Sequence, residues 1–245
     1  MNIGAIGTDS GHLEAFTRLI NAGNKAGTTA CKVTHFYSGG INDWVQPGPD
    51  KAKRAEAIGT WTSGAIANGA VEAKSLDEML KACDGFMVLN VSGARHFKFA
   101  EKCLKTKKPT YIDKPLTTKF AEAKKLLALA KKTKTPCYSA SSLRFIKAFD
   151  AIDFASLGKI IAIDASGELL KADPQLWHYG CHALEMVDSI FNKSGQGPGV
   201  KKVSAVESKD RHLVDLEYKD GRYVSIRMER KASWEFGGLS HRANG

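Results

Sequence analysis

The chain has 245 residues, of which 43% are apolar and 25% charged; this is enough for two modest domains with cores of their own. No apolar run reaches the roughly 18 residues of a membrane span, and Cys31, Cys83, Cys103, Cys137 and Cys181 are odd in number without a C-x-x-C pair, which disfavours a disulfide framework or zinc site and fits a reducing cytoplasm. The formal net charge of +10 falls on lysine pairs such as Lys124-Lys125 and Lys131-Lys132, which read as solvated helix faces; an anionic cofactor or substrate is expected as a partner, and neither nucleic acid nor membrane.

The start, Met1 to Gly7, lacks a basic stretch followed by a long apolar one, so no secretory signal is expected. Residues 3–6 form a short apolar run ending in a turn, and 13–20 have apolar residues at helical spacing. Residues 32–37 read as a second strand, 52–58 as a helix and 71–73 as a short strand. Ser75 and Glu78 make a capping-box start to the next helix. Strands follow at 85–89, 109–112 and 136–140, with helices near 97–104 and 119–132 between them. Strand alternating with helix predicts a parallel sheet with right-handed crossovers. Beyond residue 155 the pattern changes: a strand at 159–165, a helix at 179–191 and a loop at 195–199 are followed by strands at 203–208, 212–218 and 223–229. Asp220-Gly221 signals a hairpin between the last two. The segment Trp234 to Ser240 reads as further sheet. The expected division is 1–145 and 146–245.

Four segments carry chemistry. The loop Gly7-Thr8-Asp9-Ser10-Gly11-His12 joins the first strand to the first helix, where backbone N–H groups can meet a diphosphate. Against G-x-G-x-x-G, Gly7 fits the first position, Asp9 stands at the second and His12 at the third, with Gly11 displaced by one. The same loop also suits a plain tight turn with Asp9 or Ser10 as N-cap, and a carboxylate at Asp9 repels a diphosphate unless turned away. The second strand ends in Tyr37-Ser38-Gly39-Gly40 with no acid to hold a ribose diol, and Lys51, Lys53 and Arg54 lie downstream, so NAD and NADP both stay open.

Asp113-Lys114-Pro115 ends a predicted strand, where a lysine can donate to a substrate oxygen and Pro115 can be cis; an exposed lysine at a strand exit is the plainer alternative. In Trp177 to Glu185, His178, His182 and Glu185 share a helix face if the helix includes His178. Histidine suits acid–base work, or a structural role, and companion ligands for a metal are missing.

Together these segments resemble the glucose–fructose oxidoreductase / inositol dehydrogenase / MocA (Gfo/Idh/MocA) family, from Ile3 to about Glu229. Asp113-Lys114-Pro115 is similar to its Glu-Lys-Pro motif, Asn90-Val91-Ser92-Gly93-Ala94-Arg95-His96 to its turn after the fourth strand, and Ser141-Ser142-Leu143-Arg144-Phe145 to its sixth-strand segment. His178 to Glu185 resembles its D-x-G-x-H-x-x-D helix. The resemblance implies an α/β protein: an N-terminal Rossmann doubly wound parallel sheet and a C-terminal α+β domain, possibly shortened, with an open, mostly antiparallel sheet for substrate and subunit contacts. It implies Lys114, His182 and His178 as catalytic residues. Gly7, Thr8, Ser10, Gly11, His12, Ser38, Asn90, His96, Asp113, Pro115 and Arg144 would hold NAD or NADP. The implied activity is hydride transfer on a sugar, polyol or related hydroxyl compound, in a homo-oligomer built through the C-terminal sheet. Redox-assisted glycoside cleavage and a non-catalytic nucleotide- or sugar-binding sensor are the alternatives. Three departures stand out: His178 replaces an aspartate, the phosphate loop has lost two glycines, and members run about 100 residues longer, in line with two full domains.

Overall fold

The computed structural model describes residues 1–41, 50–169, 176–195, 199–230 and 236–242. The chain divides into two compact units, Met1–Ser139 and Ala140–Gly245. In the first, strands and helices alternate: β1 (Asn2–Ile6), α1 (His12–Lys25), β2 (Lys32–Tyr37), α2 (Lys51–Ala67), β3 (Val71–Glu72), α3 (Leu76–Ala82), β4 (Gly85–Val88), α4 (Gly93–Lys105), β5 (Thr110–Ile112), α5 (Phe120–Thr133) and β6 (Cys137–Tyr138). Every strand pair is parallel, in the order β3-β2-β1-β4-β5-β6. Strand order reverses between β1 and β4, so the carboxyl ends of β1, β2 and β4 border the crevice in which a doubly wound sheet holds its ligand.

The sheet is buried on both faces. Ile3 and Ala5 of β1 pack with Leu13, Phe36 and Ala65 on the side of α1 and α2, while Ile6 packs with Met79, Phe99, Leu104 and Leu126 on the other. Gly4 lets α3 close in, since a Cβ there would lie 2.8 Å from Met79. α3 starts as a modified capping box: Ser75 Oγ accepts from Glu78 N at 3.1 Å, and the Glu78 carboxylate accepts from Lys74 N at 2.9 Å rather than from Ser75. α2 runs well past the expected 52–58. It continues through Gly59 to Ala67, and Gly64 is a packing position, with Glu14 of α1 where a Cβ would stand.

The second unit begins with two 3₁₀ turns, Ser142–Phe145 and Lys147–Ala151, and continues with β7 (Ile160–Glu168), α6 (Gly180–Lys193), β8 (Val200–Glu207), β9 (Arg211–Tyr218), β10 (Tyr223–Glu229) and β11 (Gly237–Arg242). The sheet order is β11-β7-β10-β9-β8; only β10 and β7 pair in parallel. Gly221, at φ +84°, turns the hairpin between β9 and β10. α6 covers one face, setting Ala183, Met186, Val187 and Phe191 against Ile163, Leu216, Val224 and Ile226. Of the predicted loop at 195–199, residues 196–198 lie outside the described residues, as do Trp234 and Glu235. The remainder of the Trp234 segment enters β11, an edge strand.

Leu126 is fully buried between α5 and the sheet. Leu126→Ala should cost about 2–5 kcal/mol, read as a lower urea midpoint with an unchanged slope.

Candidate functional site

The crevice end of the first unit is shaped by close backbone approaches. Gly7 follows β1 at φ +109°, and a Cβ there would lie 2.5 Å from Asn90 N, so only glycine fits. Its N–H donates to Tyr37 O at 2.9 Å, and Thr8 N–H donates to Ser38 O at 3.3 Å, extending the β1–β2 ladder into the loop. The Thr8 and Ser38 hydroxyls lie 3.3 Å apart. Gly11, not Asp9 or Ser10, is the N-cap of α1, and no side chain caps it; Ser10 Oγ instead accepts from His12 N at 3.2 Å. Asp9 is fully buried and its Oδ1 accepts from Val91 N at 3.1 Å, so this carboxylate is committed to the β4 loop. The head of a 14-residue helix is left to present its positive end.

Asn90 stands at the centre. It is 0% exposed, yet neither Oδ1 nor Nδ2 has a hydrogen-bond partner among the described residues. Its amide lies 3.2 Å from where a Cβ on Gly39 would be, and Gly7 lies against its backbone. Buried amides are ordinarily satisfied. An orphaned amide walled by two positive-φ glycines fits a polar group brought in by a cofactor. Arg95 fixes the β2 exit, donating to Gly39 O at 2.7 Å and Ile41 O at 3.2 Å. Lys51 and Lys53 are exposed on α2, and Arg54 is buried.

Asp113, just after β5, collects three donors. Its Oδ1 accepts from Lys114 N at 2.8 Å and from the Tyr111 hydroxyl at 3.4 Å, and its Oδ2 lies 2.5 Å from His12 Nδ1. Burial alone would raise its pKa. The hydrogen bond and charge of His12, then the charge and backbone N–H of Lys114, outweigh burial and hold the carboxyl below its usual range. His12, Asp113 and Lys114 are thereby brought together across 101 residues of sequence. The Lys114–Pro115 bond is cis. Fully buried His96 lies 2.7 Å from both Pro115 O and Asn90 O, joining the two loops. Gly93 leaves room for Pro115, whose Cγ would be 2.6 Å from a Cβ at that position.

In the second unit α6 begins at Gly180, so His178 precedes the helix and does not share the face expected of it with His182 and Glu185. His178 packs against Tyr179, with ring centroids 4.7 Å apart. His182 Nδ1 lies 2.5 Å from Ser141 Oγ, which also accepts from Leu143 N at 3.0 Å, and its ring meets Phe236 edge-on at 5.3 Å. Arg144 pairs with Glu185 and, at 2.5 Å, with Asp188. Burial and the neighbouring Asp188 raise the Glu185 carboxyl against the opposing pull of Arg144. Sequence reasoning did not single out Tyr111, Arg95 or Ser141 as site residues; Ser141 and Arg95 lay within quoted motifs, but nothing in their spacing marked their contacts.

The depressed pKa of Asp113 has a measurable consequence. Its stabilising contribution is complete above the unfolded value of about 3.9 and is lost as pH falls through the lower folded value. Asp113→Asn should therefore be less stable than the parent at neutral pH, and the gap should close below about pH 4 in urea melts. A gap independent of pH would show that the carboxylate's charge is not what matters.

Residues 2–141 match the family described as "Oxidoreductase family, NAD-binding Rossmann fold". An uncharacterized oxidoreductase, YhhX of Escherichia coli (strain K12), is 29% identical over 133 residues, a stretch covering 48% of this chain and only 39% of that protein. Among solved structures, GenD2 from gentamicin A biosynthesis, in complex with NAD, aligns over 99% of this chain and 72% of its own at TM-score 0.70 and 17% identity. UDP-N-acetylglucosamine 3-dehydrogenase GnnA from Acidithiobacillus ferrooxidans aligns over 99% and 74% at TM-score 0.68 and 15% identity. Those two show likeness of fold. With more than half the chain matched by the family and the sheet wound in its order, the protein belongs to the Gfo/Idh/MocA family of oxidoreductases with an NAD-binding Rossmann fold.

Proposed function

We propose that the protein is an NAD(P)-dependent oxidoreductase that interconverts a hydroxyl and a carbonyl on a sugar, polyol or related compound. The observation that carries this reading is the buried, unpartnered Asn90 amide between Gly7 and Gly39 at the strand ends. Gly7, Thr8, Ser10, Gly11 and His12 would hold the diphosphate, Ser38 the adenosine ribose, and Asn90, His96, Asp113 and Pro115 the nicotinamide side. Arg144 acts by bracing α6 through Glu185 and Asp188. When bound, the nicotinamide dinucleotide supplies a hydride acceptor or donor.

The chain's own residues then have distinct tasks. Lys114 donates from Nζ to the reacting substrate oxygen, polarising it, while Asp113 fixes the lysine's backbone. His182 takes or returns the hydroxyl proton, and Ser141 holds its ring through Nδ1, leaving Nε2 for substrate. His178 supports it or binds substrate. In domain terms, the first unit, Met1–Ser139, carries the cofactor, and the second, Ala140–Gly245, the substrate and subunit contacts; the division falls six residues before the one expected from sequence. The likeness of fold to GnnA, a UDP-N-acetylglucosamine 3-dehydrogenase, supports the substrate class. Among the described residues nothing covers the face of the second sheet away from α6, where a groove is lined by Asp164, Leu213, Arg227 and Leu239; a second copy of the chain is the proposed cover. Five free thiols fit a reducing compartment.

Titration calorimetry with NAD and NADP should show binding of at least one, and light scattering should show a species larger than the monomer. Lys114→Ala should lower turnover on the order of 10²- to 10⁴-fold with cofactor affinity little changed. Full turnover in Lys114→Ala would remove the lysine from the chemistry. Failure of both cofactors to bind at millimolar concentration would favour the sensor reading, and product formed without net NADH change would favour glycoside cleavage.

A further inference from the structure

Residues 94–134 hold twelve lysines and Arg95 against Glu101, Asp113 and Glu122, a formal charge of +10, which equals that of the whole chain. The remaining residues balance, with 23 basic and 23 acidic side chains. The protein is therefore a neutral body with one charged segment. The fold gathers that segment onto one surface: α4 and α5 pack side by side on the same face of the sheet, sharing Phe99, Leu104, Leu126 and Ala130 as core. With those faces buried, ten of the twelve lysines are exposed; Lys108 instead donates to Leu80 O and Cys83 O, and Lys114 lies beside Asp113. Lys98, Lys102 and Lys105 are exposed at spacings of four and three along α4.

On α5 the same spacing sets apolar and basic residues alternately on one exposed row: Phe120, Lys124, Leu127 and Lys131. Phe120 is 78% exposed and Leu127 56%. Lys124 Nζ lies 5.0 Å over the Phe120 ring. The two acids on the surface are each matched by one lysine, Glu101 by Lys105 at 3.0 Å and Glu122 by Lys119 at 3.4 Å. Asp113 is buried in the site beside Lys114, and neither counts on this surface. Like charges gathered on one face repel one another, and bared apolar side chains are costly in water; a polyanionic, partly apolar partner relieves both.

Ten exposed lysines, with Arg95 engaged at the β2 exit, are a set of point charges suited to a diffuse anionic surface rather than to bidentate phosphate recognition. The core-facing side of α5 is taken by Leu126 and Ala130, so Phe120 and Leu127 give the exposed basic face its own apolar footholds. We propose that the α4–α5 face docks on an anionic lipid bilayer, its lysines at the headgroups and Phe120 and Leu127 at the acyl boundary. The contact is peripheral, since no described helix is long and apolar enough to cross a membrane. It is independent of the redox reading.

The test is co-sedimentation of the whole chain with phosphatidylcholine vesicles, with and without phosphatidylglycerol, at low and high salt, alongside a DNA duplex. Binding is expected only where phosphatidylglycerol is present, and it should weaken with salt. Each lysine near such a surface contributes about 1 kcal/mol, so Lys124→Gln with Lys131→Gln should weaken partitioning on the order of 10- to 30-fold. Phe120→Ser, at an exposed site, should weaken it with an unchanged thermal melt. Equal binding to neutral vesicles, binding to duplex but not vesicles, or binding to neither would each overturn the proposal. So would vesicle binding that the lysine and Phe120 variants leave intact.

Discussion

A carboxylate buried at the end of β5 organises the crevice of the first unit. Taking an ionised Asp113 out of water costs several kcal/mol unless donors and charge replace the lost solvation. The replacements come from three places: the head of α1 through His12, the strand itself through Tyr111, and the turn through the Lys114 N–H. Of these, the His12 and Lys114 contacts are the short ones, at 2.5 and 2.8 Å. The requirement therefore fixes the first helix relative to the fifth strand, and with them the direction in which Lys114 leaves the sheet. His96 extends the same frame to the β4 loop, so that Asn90 and Pro115 are held by one ring.

The architecture was legible because both sheets announce their periods. Gly85 to Val88 is buried throughout, as a central parallel strand must be, while Arg211 to Tyr218 alternates as a strand covered on one face does. Boundaries were less legible where one residue type serves two ends. α2 was expected over 52–58 and runs to Ala67, through Gly59 and Gly64; the face shared by His178, His182 and Glu185 required a helix that took in His178, and α6 begins at Gly180. Gly11 caps α1 where Asp9 and Ser10 carried the stronger chemical signal, because Asp9 was claimed by Val91, 82 residues away.

The same limit applies to the site. Strand ends could be placed from sequence, and with them Gly7, Asn90 and Lys114. Partners could not, since the contacts that matter join His12 to Asp113, Arg95 to Gly39 and Ser141 to His182 across long separations. Net charge is a further case. A chain-wide value of +10 carries no address, and lysine pairs on helices look alike whether spread around a molecule or gathered on it. Only the shared burial of Leu104 and Leu126 places the two basic helices next to each other.

The contact between Gly93 and Pro115 reaches further than its size suggests. The ring sits where any larger side chain at position 93 would have to stand. Two residues on separate loops, one at the head of α4 and one beside Lys114, are thus a single unit of inheritance. A loop carrying a different residue at either place could be exchanged among relatives only together with its counterpart. In this protein the freedom to vary the turn that carries Lys114 is governed from the head of a helix on another loop.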